Sequence, residues 1–185
     1  MNPKLKARLF VLLIFFACAA PVALSTLTYY VWKPEKRMNY GELLQASPLS
    51  FAQLKMIGAN GTVGDTFKGK WVLLLIDQSS CGDACERRLY AMRQTALAME
   101  VKKDKLAEAW MIDSSGAPKS EVLAQYPRTT LIAGDAVWLQ QLPQPMAGRI
   151  FLIDPNGLPV LRYPEDPDVK RMMKDLGRLL DVKRM

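Results

Sequence analysis

Hydrophobic and polar positions divide the chain into one long apolar block and a longer, punctuated remainder. From Leu9 to Trp32 no charged residue occurs. About 20 apolar residues cross a bilayer core, whereas a cleavable signal peptide has an apolar region of roughly 7–15. The block predicts a retained single-span anchor over residues 9–32, preceded by a cytoplasmic segment, 1–8. Pro21 lies mid-span, which a membrane helix tolerates. Tyr29, Tyr30 and Trp32 gather at the far end, as interfacial aromatics do.

Beyond the anchor the pattern shortens. Residues 33–48 are polar and broken by Pro34, Gly41 and Pro48, so they read as a linker, and 49–185 as the folded domain. Leu49, Phe51 and Leu54 alternate with smaller or polar residues, and Gly58-Ala59-Asn60-Gly61 marks a turn. This predicts a β-hairpin closed by Thr62–Phe67. Trp71-Val72-Leu73-Leu74-Leu75-Ile76 is a continuous apolar run, suited to a strand buried on both faces. A helix is expected from Gly82 to Met99, with Leu89, Met92, Ala96 and Met99 at helical spacing. Lys102–Lys105 is its polar exit.

A second short strand is expected at Ala109–Asp113, a loop at Ser114–Pro118 and a short helix at Ser120–Tyr126. An irregular stretch separates these from a strand at Arg149–Ile153. Asp154-Pro155-Asn156-Gly157 is a strong turn signal, returning the chain as Leu158–Tyr163. Asp166 is a candidate N-cap with Pro167 at the first helical position. Val169, Met172, Met173, Leu176, Leu179 and Leu180 share one face of the final helix. Alternating strands and helices followed by an antiparallel hairpin predict an α/β fold, a mixed central sheet flanked by helices. That is a thioredoxin-like arrangement, here preceded by an N-terminal transmembrane helix.

Charge changes the picture little. The net charge is +7, but residues 1–37 hold six of the 25 basic residues and one of the 18 acidic ones. Most of the excess is therefore juxtamembrane, where it sets topology or meets anionic lipid. No basic stripe interleaved with aromatics marks a nucleic-acid face. Lys4, Lys6 and Arg8 precede the span; Lys33, Lys36 and Arg37 follow it, offset by Glu35. The balance favours the N-terminus inside. The expectation is a bacterial inner-membrane protein, single-pass, with its soluble domain in the periplasm.

The cysteines carry the candidate chemistry. Cys18 lies inside the anchor and reads as a small apolar residue. A lipidated cysteine is the alternative there, since Ala17 precedes it, but Phe15 stands where leucine is usual. Cys81 and Cys85 are the only thiols beyond the anchor, in Cys81-Gly82-Asp83-Ala84-Cys85. They follow the apolar strand and open the predicted helix. Helix N-termini carry unpaired N–H groups and partial positive charge, which favour a thiolate. Ser79 and Ser80 are candidate caps. The spacing suits a redox disulfide, or two sulfurs converging on one soft metal ion. A structural disulfide is the bland alternative, yet so short a loop removes little chain entropy. Asp77 is either a proton acceptor or a strand-end cap. With no histidine there is no histidine-based triad and no conventional zinc site. No Gly-rich phosphate loop is present.

Gly69-Lys70-Trp71-Val72-Leu73-Leu74, the two cysteines, and Phe151-Leu152-Ile153-Asp154-Pro155-Asn156-Gly157 together resemble the Sco/SenC family. Asp83, Asp113, Pro118, Glu121-Val122-Leu123 and Tyr126 add to the likeness, which spans roughly residues 49–180. The resemblance implies a membrane-anchored, thioredoxin-like protein that helps assemble the copper site of cytochrome oxidase. It implies Cu(I) as the metal and an oxidase subunit, or another copper or thiol protein, as partner. Two departures stand out. Gly82 and Glu86 replace the prolines that usually follow the cysteines, and the family's copper-ligand histidine is missing. Its place falls near Met146, a soft thioether that could complete a site with Cys81 and Cys85 or simply pack. Thioredoxins hold a cis-proline before the equivalent strand, and Pro145 is the candidate, with loop stiffening as the alternative.

Three functions compete. The first is oxidase assembly by thiol–disulfide exchange, with copper delivery. The second is a general periplasmic disulfide reductase, although such proteins usually have two residues between their cysteines. The third is a non-catalytic scaffold that keeps the fold. A peroxidase is disfavoured because Asp77-Gln78-Ser79-Ser80 lacks the threonine and arginine pattern of a peroxidatic site.

Overall fold

The computed structural model describes residues 3–31, 39–59, 62–99, 104–113 and 115–181. Trp32, Lys33, Pro34, Glu35, Lys36, Arg37, Asn60, Gly61, Lys102, Lys103 and Ser114, which figured in the expectations above, lie outside the described residues. The chain forms two compact units, residues 1–38 and 39–185.

The first unit is helix α1, Pro3–Val31, which continues through Pro21. Within it, Arg8–Thr28 has a mean hydropathy of 2.4 and is long and apolar enough to cross a membrane. Leu9 to Phe16 are all exposed.

The second unit is built on a six-stranded sheet. Its elements are β1 (Glu42–Leu43), α2 (Val63–Phe67), β2 (Trp71–Asp77), α3 (Asp83–Ala98), β3 (Leu106–Ile112), α4 (Ser120–Gln125), β4 (Thr129–Ala133), α5 (Ala136–Leu139), β5 (Arg149–Ile153), β6 (Pro159–Arg162) and α6 (Val169–Asp181). The strand order is β1-β6-β5-β2-β3-β4. β2, β3 and β4 are parallel, whereas β5 runs antiparallel to β2 and pairs with β6 as a hairpin. The mixed sheet flanked by helices is the expected thioredoxin-like fold.

Strand alternation sorts the core into two layers. From β2, Leu73 and Leu75 face one side, with Trp110, Ile150 and Leu152. Helices α3 and α6 cover this first layer with Leu89, Met92, Met172 and Leu176. Val72, Leu74 and Ile76 face the other, with Met111, Phe151 and Ile153. There the cover is short: α2 and α5 supply Val63, Phe67, Trp138 and Leu139, and a loop supplies Leu49 and Leu54.

The structure departs from the expectations in five places. The segment Thr62–Phe67 is not a hairpin strand. Lys55 and Thr62 form only an isolated bridge, and Val63–Phe67 is helical. Thr62 caps that helix, its hydroxyl accepting from the Asp65 N–H at 3.1 Å. Part of the expected linker is folded. Glu42 and Leu43 pair with Arg162 and Leu161, and the buried Asp175 carboxylate accepts from the N–H groups of Tyr40 and Gly41 at 2.9 Å each. The expected irregular stretch contains β4 and α5. The second strand starts earlier, at Leu106. Finally, α6 is capped by Asp168 rather than Asp166, through the Arg171 N–H at 2.9 Å.

Candidate functional site: a disulfide at a strand–helix junction

β2 is apolar until Asp77, where the backbone leaves the sheet. Six residues later α3 begins, with Gly82 as its N-cap. Cys81 lies just before the helix and Cys85 in its first turn. They form a disulfide with a Cα–Cα separation of 5.1 Å. Cys81 holds φ at 31°, a left-handed conformation that L-residues adopt infrequently. Both cysteines are buried, at 5% and 3% exposure, while Gly82, Asp83 and Ala84 between them are exposed. An attacking thiolate therefore meets this short exposed segment first.

The expected serine caps do not form. Gly82 offers no side-chain cap, and the Ser79 hydroxyl donates instead to the carbonyl of Ser115 at 3.1 Å. Asp113 N–H donates to the Asp77 carbonyl at 3.2 Å, so the β3–α4 loop lies beside the cysteine loop.

Asp77 is an ion-pair partner. Its Oδ2 accepts from Arg88 Nη1 at 2.7 Å, with both side chains largely buried. Its Oδ1 accepts from the Gln78 N–H at 2.9 Å, the strand-end cap expected from the sequence. Partial desolvation, then the neighbouring Asp77 carboxylate, raises the Asp113 carboxyl above the usual carboxylate value, against a lowering contribution from a backbone hydrogen bond. Asp113 is an exposed residue, so solvent screens the effect.

Pro145 follows a cis peptide bond from Gln144. Its loop joins the cysteine-bearing edge of the sheet, since Gly148 N–H donates to the Ile76 carbonyl at 2.8 Å. Arg162 Nη1 donates to the Pro145 carbonyl at 3.1 Å. Met146 packs against the second layer, with Phe151 and Ile153, whereas Cys81 and Cys85 belong to the first. The fold thus brings the two sulfurs together and sets Met146 in the opposite core cluster. Among the described residues no group of three or more His, Cys, Asp or Glu side chains is arranged to hold a metal ion. Cys18 is a free, exposed thiol on α1.

Arg88 is the residue that sequence reasoning missed. Its one signal was position, three residues after Cys85 and so on a neighbouring turn of the helix face. The guanidinium also donates from Nε to the Glu165 carbonyl at 2.9 Å. It lies against Gly148, where an added Cβ would meet Cζ at 3.1 Å.

Comparisons with known proteins agree with the fold. Copper-bound ScoI of Bradyrhizobium japonicum superposes with a TM-score of 0.56 at 18% identity, covering 71% of this chain and 99% of that one. Copper-bound yeast Sco1 gives 0.60 at 16% identity, covering 78% and 97%. The thioredoxin domain of a thiol-disulfide oxidoreductase from Bacteroides vulgatus gives 0.50 at 14% identity, covering 74% and 100%. At these identities the likeness is one of fold. None of the curated proteins matches the sequence. Residues 71–183, from the first strand of the parallel set to the last helix, match the family described as transmembrane-like, thioredoxin-like, C-terminal domain, and the chain belongs to that family.

Proposed function

We propose that this protein is a membrane-anchored thiol–disulfide exchange protein that assists assembly of cytochrome c oxidase, with Cys81 and Cys85 as the reacting pair. The observation that carries the reading is the disulfide itself. It joins residues only four apart, at a helix start whose N-cap residue, Gly82, makes no side-chain cap bond. The backbone N–H groups there and the helix dipole favour the thiolate released when the bond opens. The Sco/SenC resemblance supplies the oxidase, and the apolar helix supports a single-pass anchor. The basic residues Lys4, Lys6 and Arg8 favour a bacterial inner-membrane setting with the domain in the periplasm.

In the exchange a partner thiolate attacks one sulfur and the S–S bond breaks. The other sulfur leaves as a thiolate and takes a proton from water. A second partner thiol then resolves the mixed disulfide. The partner ends oxidised by two electrons, and Cys81 and Cys85 end as thiols.

Copper is a second reading, favoured by relatives solved with copper bound. Here copper would be cargo. Two thiolates suit Cu(I), and a third ligand would come from the partner, because Met146 packs in the other layer.

The test uses the full chain in detergent. The exchange reading expects a dithiol that equilibrates with a thioredoxin-strength reductant, and oxidase copper-site assembly that fails in Cys81→Ser. A disulfide that resists such reductants removes it, and intact assembly in the double serine variant favours the scaffold. Brisk turnover of unrelated disulfides favours a general reductase. Cu(I) competition should be abolished by Cys81→Ser and unaffected by Met146→Leu. Loss of binding in Met146→Leu would restore Met146 as a ligand.

A further inference from the structure

We infer that Arg88, through Asp77, is a positioning residue that holds the cysteine loop closed when the disulfide opens. The inference rests on the exchange reading above. Three links run from the helix to the first cysteine. Arg88 Nη1 donates to Asp77 Oδ2 at 2.7 Å. Asp77 Oδ1 accepts from the Gln78 N–H at 2.9 Å. The Gln78 carbonyl accepts from the Cys81 N–H at 3.3 Å. The second cysteine sits on the same helix as Arg88, one turn earlier. One ion pair therefore ties together both flanks of the loop that carries the sulfurs.

In the oxidised protein the covalent bond already holds these flanks. In the reduced protein it does not, and Cys81 is free to leave its left-handed backbone conformation at φ 31°. What then limits the loop is the ion pair, 12% and 16% exposed and so only weakly screened. The second anchor of Arg88, the Glu165 carbonyl, and its contact with Gly148 keep the guanidinium over Asp77. A preorganised dithiol recloses against a high effective concentration of its own partner thiol. Without Arg88 the reduced loop gains freedom, and the disulfide becomes easier to reduce.

The ion pair is present in the oxidised protein, so only the extra freedom its loss gives the reduced loop shifts the equilibrium; we expect disulfide formation to weaken by roughly tenfold, ~30 mV for this two-electron couple. The experiment equilibrates the full chain, in detergent, with glutathione redox buffers and counts free thiols. Arg88→Met and Asp77→Asn should each lower the equilibrium constant about tenfold. Arg88→Lys, which keeps the charge opposite Asp77, should recover most of it. Arg87→Met removes the neighbouring guanidinium of the same helix, whose exposed ion pair with Asp166 spans 3.9 Å, without touching Arg88, Asp77 or the Glu165 anchor, and should leave the constant unchanged.

If Arg88→Met does not fold, Asp77→Asn carries the test. A constant within about twofold of wild type in the folded variants would overturn the inference. So would an equal shift in Arg87→Met. A wild-type disulfide that does not equilibrate at all would remove the exchange reading and the inference with it. Equilibration of the wild type with unchanged variants removes the inference alone.

Discussion

The two core layers are built differently, although strands β2 to β5 contribute side chains to both. The first is covered by α3 and α6, two helices of several turns, and it holds both cysteines. The second is covered by α2 and α5, of five and four residues, and by loop side chains. Their tryptophans show the contrast. Trp138 in the second layer donates its indole N–H to the Ser50 carbonyl at 2.8 Å, fastening the covering loop. Trp110 in the first layer has its Nε1 buried without a partner among the described residues. The second layer needs specific polar fastenings because short elements bury little surface each. The first is held by apolar helix faces, with the buried Asp175 carboxylate of α6 fastening Tyr40 and Gly41.

The contrast breaks most visibly at neighbouring positions of β2. Leu73 and Leu74 are both fully buried and face opposite layers. Leu73→Ala and Leu74→Ala should each cost about 2–5 kcal/mol in urea denaturation. Only Leu73→Ala should also speed reduction of the disulfide, and equal effects on reduction would erase the distinction between layers.

Asp175→Ala is the next largest effect expected. Its carboxylate is 2% exposed and accepts from two consecutive N–H groups. Loss of about 2–3 kcal/mol should follow. Hydrogen exchange at Tyr40 and Gly41 should speed up more than at β2.

The tryptophans give a finer comparison. Trp138→Phe should cost about 1 kcal/mol more than Trp110→Phe, because only the former leaves a carbonyl, that of Ser50, without its donor. Thermal unfolding of the two variants side by side measures the difference.

The smallest effect is at Asp113. Its raised pKa means the folded protein holds this proton more tightly than the unfolded chain. The associated stability is present below the ordinary carboxylate value and is lost as pH rises through the raised one. Asp113→Asn should therefore stabilise slightly at neutral pH, within about 0.5 kcal/mol, and lose that advantage in acid. A gain that grows in acid would contradict the sign.

The sequence by itself determined the apolar helix, the β2–cysteine–α3 junction, the Arg149–Ile153 strand with its Asp154–Gly157 turn, and the amphipathic face of α6. These are local: a span length, a period, a turn residue, each readable within a few positions. Pro145 is readable from the sequence as either a cis-proline or a loop stiffener, and the structure decides for cis, in the bond from Gln144. Only the tertiary structure decided the rest. Thr62–Phe67 follows a turn signal and reads as the return arm of a hairpin, yet its capping threonine and its buried Val63 and Phe67 make it a helix. Tyr40–Leu43 looked like linker because its partners, Asp175 and β6, lie more than a hundred residues away. Met146 and the cysteines are both soft-ligand candidates, but sequence distance does not say which side of a sheet a side chain takes. Arg88 met Asp77 for the same reason: an ion pair across a loop depends on where the helix lands, and landing is a property of packing.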